Sequence, residues 1–248
     1  MALWQTTRFR LDLTRPLVMG IVNNTPDSFS DGGHHHSVTA ALRHAEKLLK
    51  DGAHILDIGG ESTRPGSPAV PLEEEMRRVL PFVQAAVQFG VPISVDTYKA
   101  QVMQAVLDAG ADIINDVWAL RQPGAQSVVA SHPQCGVVLM HMHKTPQDMQ
   151  QTPMQGDAVA QVQNFLAQQT QALVALGVER QRIVWDYGIG FGKTVAQNFA
   201  LLAHQAALAG QGFALLAGWS RKSSLGQVTN RPVEERMVPS VTAAVLAV

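Results

Sequence analysis

The sequence contains a single cysteine, Cys135, in 248 residues. That excludes an internal disulfide and fits a reducing compartment. Net charge is nearly absent too, with 19 Lys and Arg against 20 Asp and Glu. The two signs are mixed along the chain, so there is no electrostatic footprint for nucleic acid or an anionic membrane, although a local positive pocket stays open. Long apolar runs are missing. The opening MALWQTTRFRLDLTRP has no signal-peptide h-region, and no stretch approaches a membrane span. Neither thiol pairs at strand ends nor a regular His spacing marks a zinc site. What remains is a soluble, cytoplasmic, globular chain, and 46% hydrophobic residues suffice for a large core. Cys135 opens an apolar run, where a small buried thiol is expected rather than a reactive one.

What the chain does have is a repeated pattern. The run Leu17–Val22 leads into Asn23 and Asn24 and then a Gly-rich loop to Gly33. Six further times a Gly is followed by an apolar run that stops at a polar residue. Gly52 leads to Asp57, Gly90 to Asp96, and Gly110 to Asn115 and Asp116. Gly136 leads to His141 and His143, Gly177 to Asp186, and Gly212 to Ser220. Each Gly follows a helix-like segment, where a left-handed C-cap belongs. The runs are short and nearly continuous in apolar residues, as strands buried on both faces are.

Between them the spacing predicts helices over Val38–Lys50, Leu72–Phe89, Lys99–Ala109, Ala158–Leu176 and Gln197–Ala209, with a last one over Val233–Val248. Glu73, Glu74 and Glu75 suit the positive end of the second helix, and Pro81 within it is expected to kink or split it. Alternating strands and helices predict right-handed βαβ units and a parallel sheet. Seven strands with no clear linker point to a single domain over residues 1–248. The expected architecture is an α/β (β/α)8 TIM barrel, with the eighth strand and helix missing from this chain.

In a barrel the strand ends converge on one mouth, so Asn23, Asp57, Asp96, Asn115, Asp116, His141, His143, Asp186 and Ser220 would face a common site. Each alone is equally well a helix cap. Asp and Asn are acceptors and amide forks, which suit a flat heterocycle with ring N–H and amino donors. Two loops, Asn24–Gly33 and Gly59–Pro68, are rich in Gly, Ser and Pro. The second offers Ser62, Thr63 and Arg64 to a phosphate, and Ser220–Ser224 follows the seventh strand, where barrels often hold one. Gly188–Thr194 (GIGFGKT) imitates a P-loop, but the Walker spacing needs Gly where Tyr187 stands. His34–His36 falls in the first loop without a carboxylate or Cys partner and is expected to be solvated.

The segments MGIVNNTPDSFSDGG, DIGGESTRPGS, ISVDTYK, IND, LMHMH, DYGIGFGKT and GWSRKSSLG, in this order from Met19 onward, resemble dihydropteroate synthases of folate biosynthesis. That family is a pterin-binding (β/α)8 barrel, a transferase that joins 4-aminobenzoate to 6-hydroxymethyl-7,8-dihydropterin diphosphate. It releases diphosphate with Mg2+ and is the target of sulfonamides. The resemblance implies catalytic roles for Asp96, Asp186 and Lys222, with Asp96, Asn115 and Asp186 on the pterin ring and Lys222 close by. It places Asn23 on Mg2+, Thr63 and Arg64 on the phosphates, and Phe29, Pro65, Ser220 and Lys222 around the aminobenzoate. It also implies a homodimer for the complete protein.

Three departures from the family pattern stand out. Tyr187 replaces a Pro and is expected to reshape the pocket floor; His143 and Lys144 are variants without an assigned effect; the Arg-x-His of an eighth strand has no counterpart. The enzymatic rival, a pterin-binding methyltransferase domain, has no use for the two phosphate and aminobenzoate loops. The alternative of a different class is an inactive paralogue or fragment that binds pterin without catalysis. Diphosphate release by this chain and by one extended by about 30 residues, one strand and one helix, separates that alternative from an enzyme.

Overall fold

The chain opens with a hairpin that carries no signal in the apolar pattern. Strands β1 (Leu3–Gln5) and β2 (Arg10–Asp12) pair antiparallel. The computed structural model describes residues 3–23, 33–63, 66–145, 148–149 and 152–248, with side chains in the first helix from position 38 onward.

Seven strands then pair in sequence order, all parallel: β3 (Met19–Asn23), β4 (Ile55–Gly59), β5 (Ile93–Asp96), β6 (Ile113–Asp116), β7 (Gly136–Met140), β8 (Ile183–Asp186) and β9 (Ala214–Leu216). Sequential strands lie side by side, each pair joined through a helical crossover, which is the order of a TIM barrel with seven of its eight units in this chain. The outer edges of β3 and β9 have no strand partner among the described residues. Three expected strand ends move. Strand β7 stops at Met140, short of His141 and His143, and β9 at Leu216, short of Ser220. The run thought to end at Asp57 continues to Gly59, so Asp57 lies in the middle of β4.

The helices are α1 (Gly33–Lys50), α2 (Leu72–Ala86), α3 (Ala100–Asp108), α4 (Ala125–Ser131), α5 (Ala158–Ala175), α6 (Val195–Ala203), α7 (Gln205–Ala209), α8 (Ser223–Thr229) and α9 (Met237–Leu246). Helix α1 begins earlier than expected, which places His34–His36 in helical backbone rather than in a loop. Helix α2 is neither split nor ended by Pro81, which lies on its exposed face, where a missing N–H deprives no buried acceptor. The stretch expected as one helix after Thr194 breaks at His204 into α6 and α7. Asp157 starts α5 by accepting from the Val159 and Ala160 amides at 2.9 and 3.2 Å, and Thr194 with Gln197 forms a capping box on α6.

Packing follows the two faces of the strands. Outward residues such as Leu56, Ile58, Val95, Ile114, Leu139 and Trp185 join Val79, Phe82, Val106, Val162 and Leu166 of the helices in the main core. A fully buried Val, Leu or Phe contributes about 1.5–3 kcal/mol each, so this layer supplies most of the driving force. Inside the barrel, Ile55, Ile113, Val138 and Val184 form a second layer sealed from below by Trp4 of β1. The Trp4 indole donates to the Arg182 carbonyl at 3.0 Å. Gly136 serves this closure. A Cβ there would lie 3.1 Å from both the Trp4 indole nitrogen and Thr6 Cγ2, so it is a close-approach glycine and not the expected C-cap. The other five glycines that lead strands do have positive φ. No described helix is long and apolar enough to cross a membrane.

Candidate active site

The opposite end of the barrel is polar. Asp57 of β4 and Asn115 of β6 reach across β5, and the Asn115 amide Nδ2 donates to Asp57 Oδ2 at 3.2 Å. Asp96 closes β5 in register with Gly59 on one side and Asn115 on the other. Asp57 Oδ1 and Asp96 Oδ1 are buried without a hydrogen-bond partner among the described residues. Burial raises Asp57, against the lowering effect of Ser94 and Asn115 beside it. Asp96 is held well above the usual carboxylate range, first by burial and then by repulsion from Asp57, Asp116, Glu75 and Glu61. Unpaired buried acceptors of this kind cost stability and mark a place that a donor-bearing ligand completes.

Asp186 ends β8 on the other side of the mouth. Its Oδ1 accepts the Gly188 amide at 2.6 Å, and burial pushes its carboxyl up to about 6 against the opposing pull of Lys222 and Lys193. Lys222 caps α8 and sits over the Phe191 ring, 4.4 Å from its centroid. Burial lowers its ammonium, while Asp186 and Asp96 raise it. Asp57, Asp96, Asp186 and Lys222 are therefore close enough to set one another's charge.

The GIGFGKT loop explains why it only imitates a P-loop. The buried Lys193 ammonium donates to the carbonyls of Gly188 (2.8 Å), His141 (3.1 Å) and Phe191 (3.2 Å), so it is consumed by its own loop. Burial pushes Lys193 down to about 7. Gly188 must lack a side chain, since at φ +66° a Cβ would sit 1.9 Å from the His141 carbonyl oxygen. His141 packs edge-on to Phe165 at 5.0 Å, and burial pushes it down to about 2, which keeps it neutral. Met140, Met142, Met149, Val117 and Phe191 add an apolar wall with Tyr98 and Trp118. Acceptors on one side, the Lys222 ammonium on another and an apolar wall suit a flat, polar molecule.

The residues 19–248 match the family model described as pterin binding enzyme. A dihydropteroate synthase of Neisseria meningitidis is 46% identical over 251 aligned positions, covering 99% of this chain and 88% of that protein. The chain belongs to the dihydropteroate synthase family. Two solved structures are similar throughout. The Xanthomonas albilineans synthase with 4-aminobenzoic acid is 51% identical with a TM-score of 0.89, covering 96% of this chain and 85% of that one. The Burkholderia cenocepacia synthase complexed with 7,8-dihydropteroate is 49% identical with a TM-score of 0.90, covering 99% and 87%. The alternative of an inactive, pterin-binding paralogue gains no support from these relatives.

Of the positions that family resemblance selects, Asp96, Asn115, Asp186 and Lys222 come together. Thr63 is half-buried in the second loop, whose base is anchored where Lys99 bonds both Glu61 and Glu75 and the Tyr98 hydroxyl donates to Glu61 at 2.8 Å. Ser220 is exposed four residues past β9, and Asn23 is exposed at the end of β3. Phe29, Arg64 and Pro65 lie outside the described residues. Tyr187 corrects an expectation of the dihydropteroate synthase comparison. It points away from the pocket floor into the core between sheet and helices, its hydroxyl 3.4 Å from Gln205 of α7. The reason is strand alternation, because Asp186 faces the mouth and the next residue must face outward. Lys144 takes φ +63° and its carbonyl accepts from the Trp118 indole at 3.1 Å, which fixes that loop. Asp116 also turns away from a ligand role, since both its oxygens accept the Trp118 and Leu120 amides at 2.7 and 2.8 Å. The residues that sequence alone left without a role are Asp57 and Lys193. An Asp inside an apolar strand was the available signal for the first.

Proposed function

We propose that the chain acts as a dihydropteroate synthase, condensing 6-hydroxymethyl-7,8-dihydropterin diphosphate with 4-aminobenzoate to give 7,8-dihydropteroate and diphosphate. The observation that carries the reading is the convergence of Asp96, Asn115 and Asp186 with Lys222 at one barrel mouth. Asp96, Asn115 and Asp186 hold the pterin edge, with their acceptors facing its ring N–H and amino donors. Loss of diphosphate leaves positive charge on the pterin methylene and ring, and the buried carboxylates of Asp96 and Asp186 stabilise it in a site of low dielectric. The aromatic amine is a neutral nucleophile at pH 7, so the reaction needs no strong general base. Lys222 sits between the pterin and aminobenzoate positions and, with Ser220, Phe29 and Pro65, forms the aminobenzoate pocket in which sulfonamides compete.

Thr63 and Arg64 contact the phosphates. Mg2+ is a fitting partner for Asn23. One exposed carboxamide oxygen at a strand end suits a hard, oxygen-seeking cation. Bound there, Mg2+ would supply neutralising charge for a diphosphate leaving group. We place the enzyme in the cytoplasm and expect a homodimer of the complete protein. Exposed Val238, Val241 and Val245 on α9 support an apolar contact on that late side of the barrel. The test is diphosphate release that requires 4-aminobenzoate and Mg2+ and matches dihydropteroate formed, measured on this chain and on one extended by about 30 residues. Release in neither would overturn the reading.

A further inference from the structure

Asp57 is a buried carboxylate on the inner face of the barrel for which the proposed reaction has no use. It faces inward from the middle of β4, in register with Ser94, one step below the level of Gly59 and Asp96. Its charge raises both Asp96 and Asp186. Its carboxylate accepts the Asn115 amide at 3.2 Å, with Ser94 of the neighbouring strand beside it. A carboxamide is a fork with donors at one end and an acceptor at the other, and it is the donor end of Asn115 that meets Asp57 Oδ2. The contact therefore fixes which end of Asn115 faces down and which faces the mouth.

We propose that Asp57 is a positioning residue that holds the Asn115 amide N–H and so presents the Asn115 carbonyl oxygen to the ligand. The wall of the mouth then consists of acceptors: Asp96 Oδ1, which has no hydrogen-bond partner among the described residues, Asn115 Oδ1 and the Asp186 carboxylate. Such a wall selects a heterocycle edge of ring N–H and amino groups and rejects one with a carbonyl at the same place. Turning Asn115 over would put a donor against a donor. The inference rests on the pterin reading of this site and adds to it a residue that acts through another.

The experiment is calorimetric titration of 6-hydroxymethyl-7,8-dihydropterin, without diphosphate, into the chain and three variants. Asp57→Asn is nearly isosteric and lets Asn115 turn, so affinity falls roughly tenfold, the cost of one mismatched polar contact. Asn115→Asp sets two carboxylates against each other and weakens binding by a similar factor. Exchanging the pair, D57N with N115D, restores a donor below and an acceptor above, and affinity returns to within about threefold of the starting chain. Thermal unfolding of all variants reports any loss of fold, and a purely structural role for Asp57 would not be rescued by the exchange. Unchanged affinity in D57N, or an exchange no better than D57N alone, overturns the assignment and leaves the enzyme reading standing. A chain that binds no pterin before substitution overturns both.

Discussion

Asp112 and Asp96 stand at opposite ends of the barrel, and their surroundings show how the two ends differ. Asp112, fully buried at the base, accepts the Arg8 amide (3.0 Å), the Arg8 guanidinium (2.9 and 2.6 Å) and the Ile93 amide (2.9 Å). Its charge is paired and its lone pairs are used, and it ties the N-terminal hairpin to the sheet. Asp96 has a buried oxygen with no partner among the described residues and carboxylates around it. The base is closed by Trp4 over an apolar layer, while the mouth leaves its polar groups unsatisfied. A buried carboxylate is thus a stabilising clamp at one end and a ligand-dependent cost at the other, depending only on what donors reach it.

That contrast can be broken in either direction. Asp96→Asn is expected to lower turnover about 10³-fold, by analogy with loss of one preorganised electrostatic group, while leaving unfolding free energy unchanged or slightly higher. Near-normal turnover would remove Asp96 from the chemistry. At the base, Asp112→Ala is expected to cost about 1–3 kcal/mol in urea unfolding, because it leaves the buried Ile93 amide without its acceptor and releases the Arg8 clamp. Activity per folded molecule should hold, and a selective loss of turnover would blur the division between the ends. Gly188→Ala lies between these cases. A Cβ at φ +66° meets the His141 carbonyl, and a cost of about 2 kcal/mol with weakened pterin binding is expected, since the Gly188 amide orients Asp186.

The smallest effect concerns pH. Asp186 is raised to about 6 in the folded chain by burial, from 3.8. The folded state therefore holds an extra proton between those values. Its contribution to stability is present below pH 3.8 and is lost as pH rises through about 6. A ligand that donates hydrogen bonds needs the ionised form, so pterin affinity should fall as pH drops below about 6, by up to about tenfold per pH unit. Titrations across that range with flat affinity would show that Asp186 is not the group that ionises on binding.

Much of this was legible in the residues. Short Val- and Ile-rich runs behind glycines mark strands because only a strand buried on both faces tolerates continuous apolar sequence, and all seven appear. Asp96, Asn115 and Asp186 stood out because a polar residue closing such a run lies at a strand end. The hairpin of β1 and β2 escaped because its strands of three residues have no periodicity to read and are held by contacts to Arg182, Asp112 and Val91 far along the chain. Pro81 misled because its effect depends on which helix face meets solvent.

The sequence by itself determined the alternation of strands and helices, the family and the set of polar residues at the mouth, all of which follow from local pattern and motif. The tertiary structure decided which of those residues face one another. Asp57 beneath Asn115, Lys193 enclosed by three carbonyls of its own loops, and Tyr187 turned out into the core depend on register between strands distant in the chain. Register and inward or outward facing are properties of packed sheets, set by the pairing of neighbours rather than by any single segment.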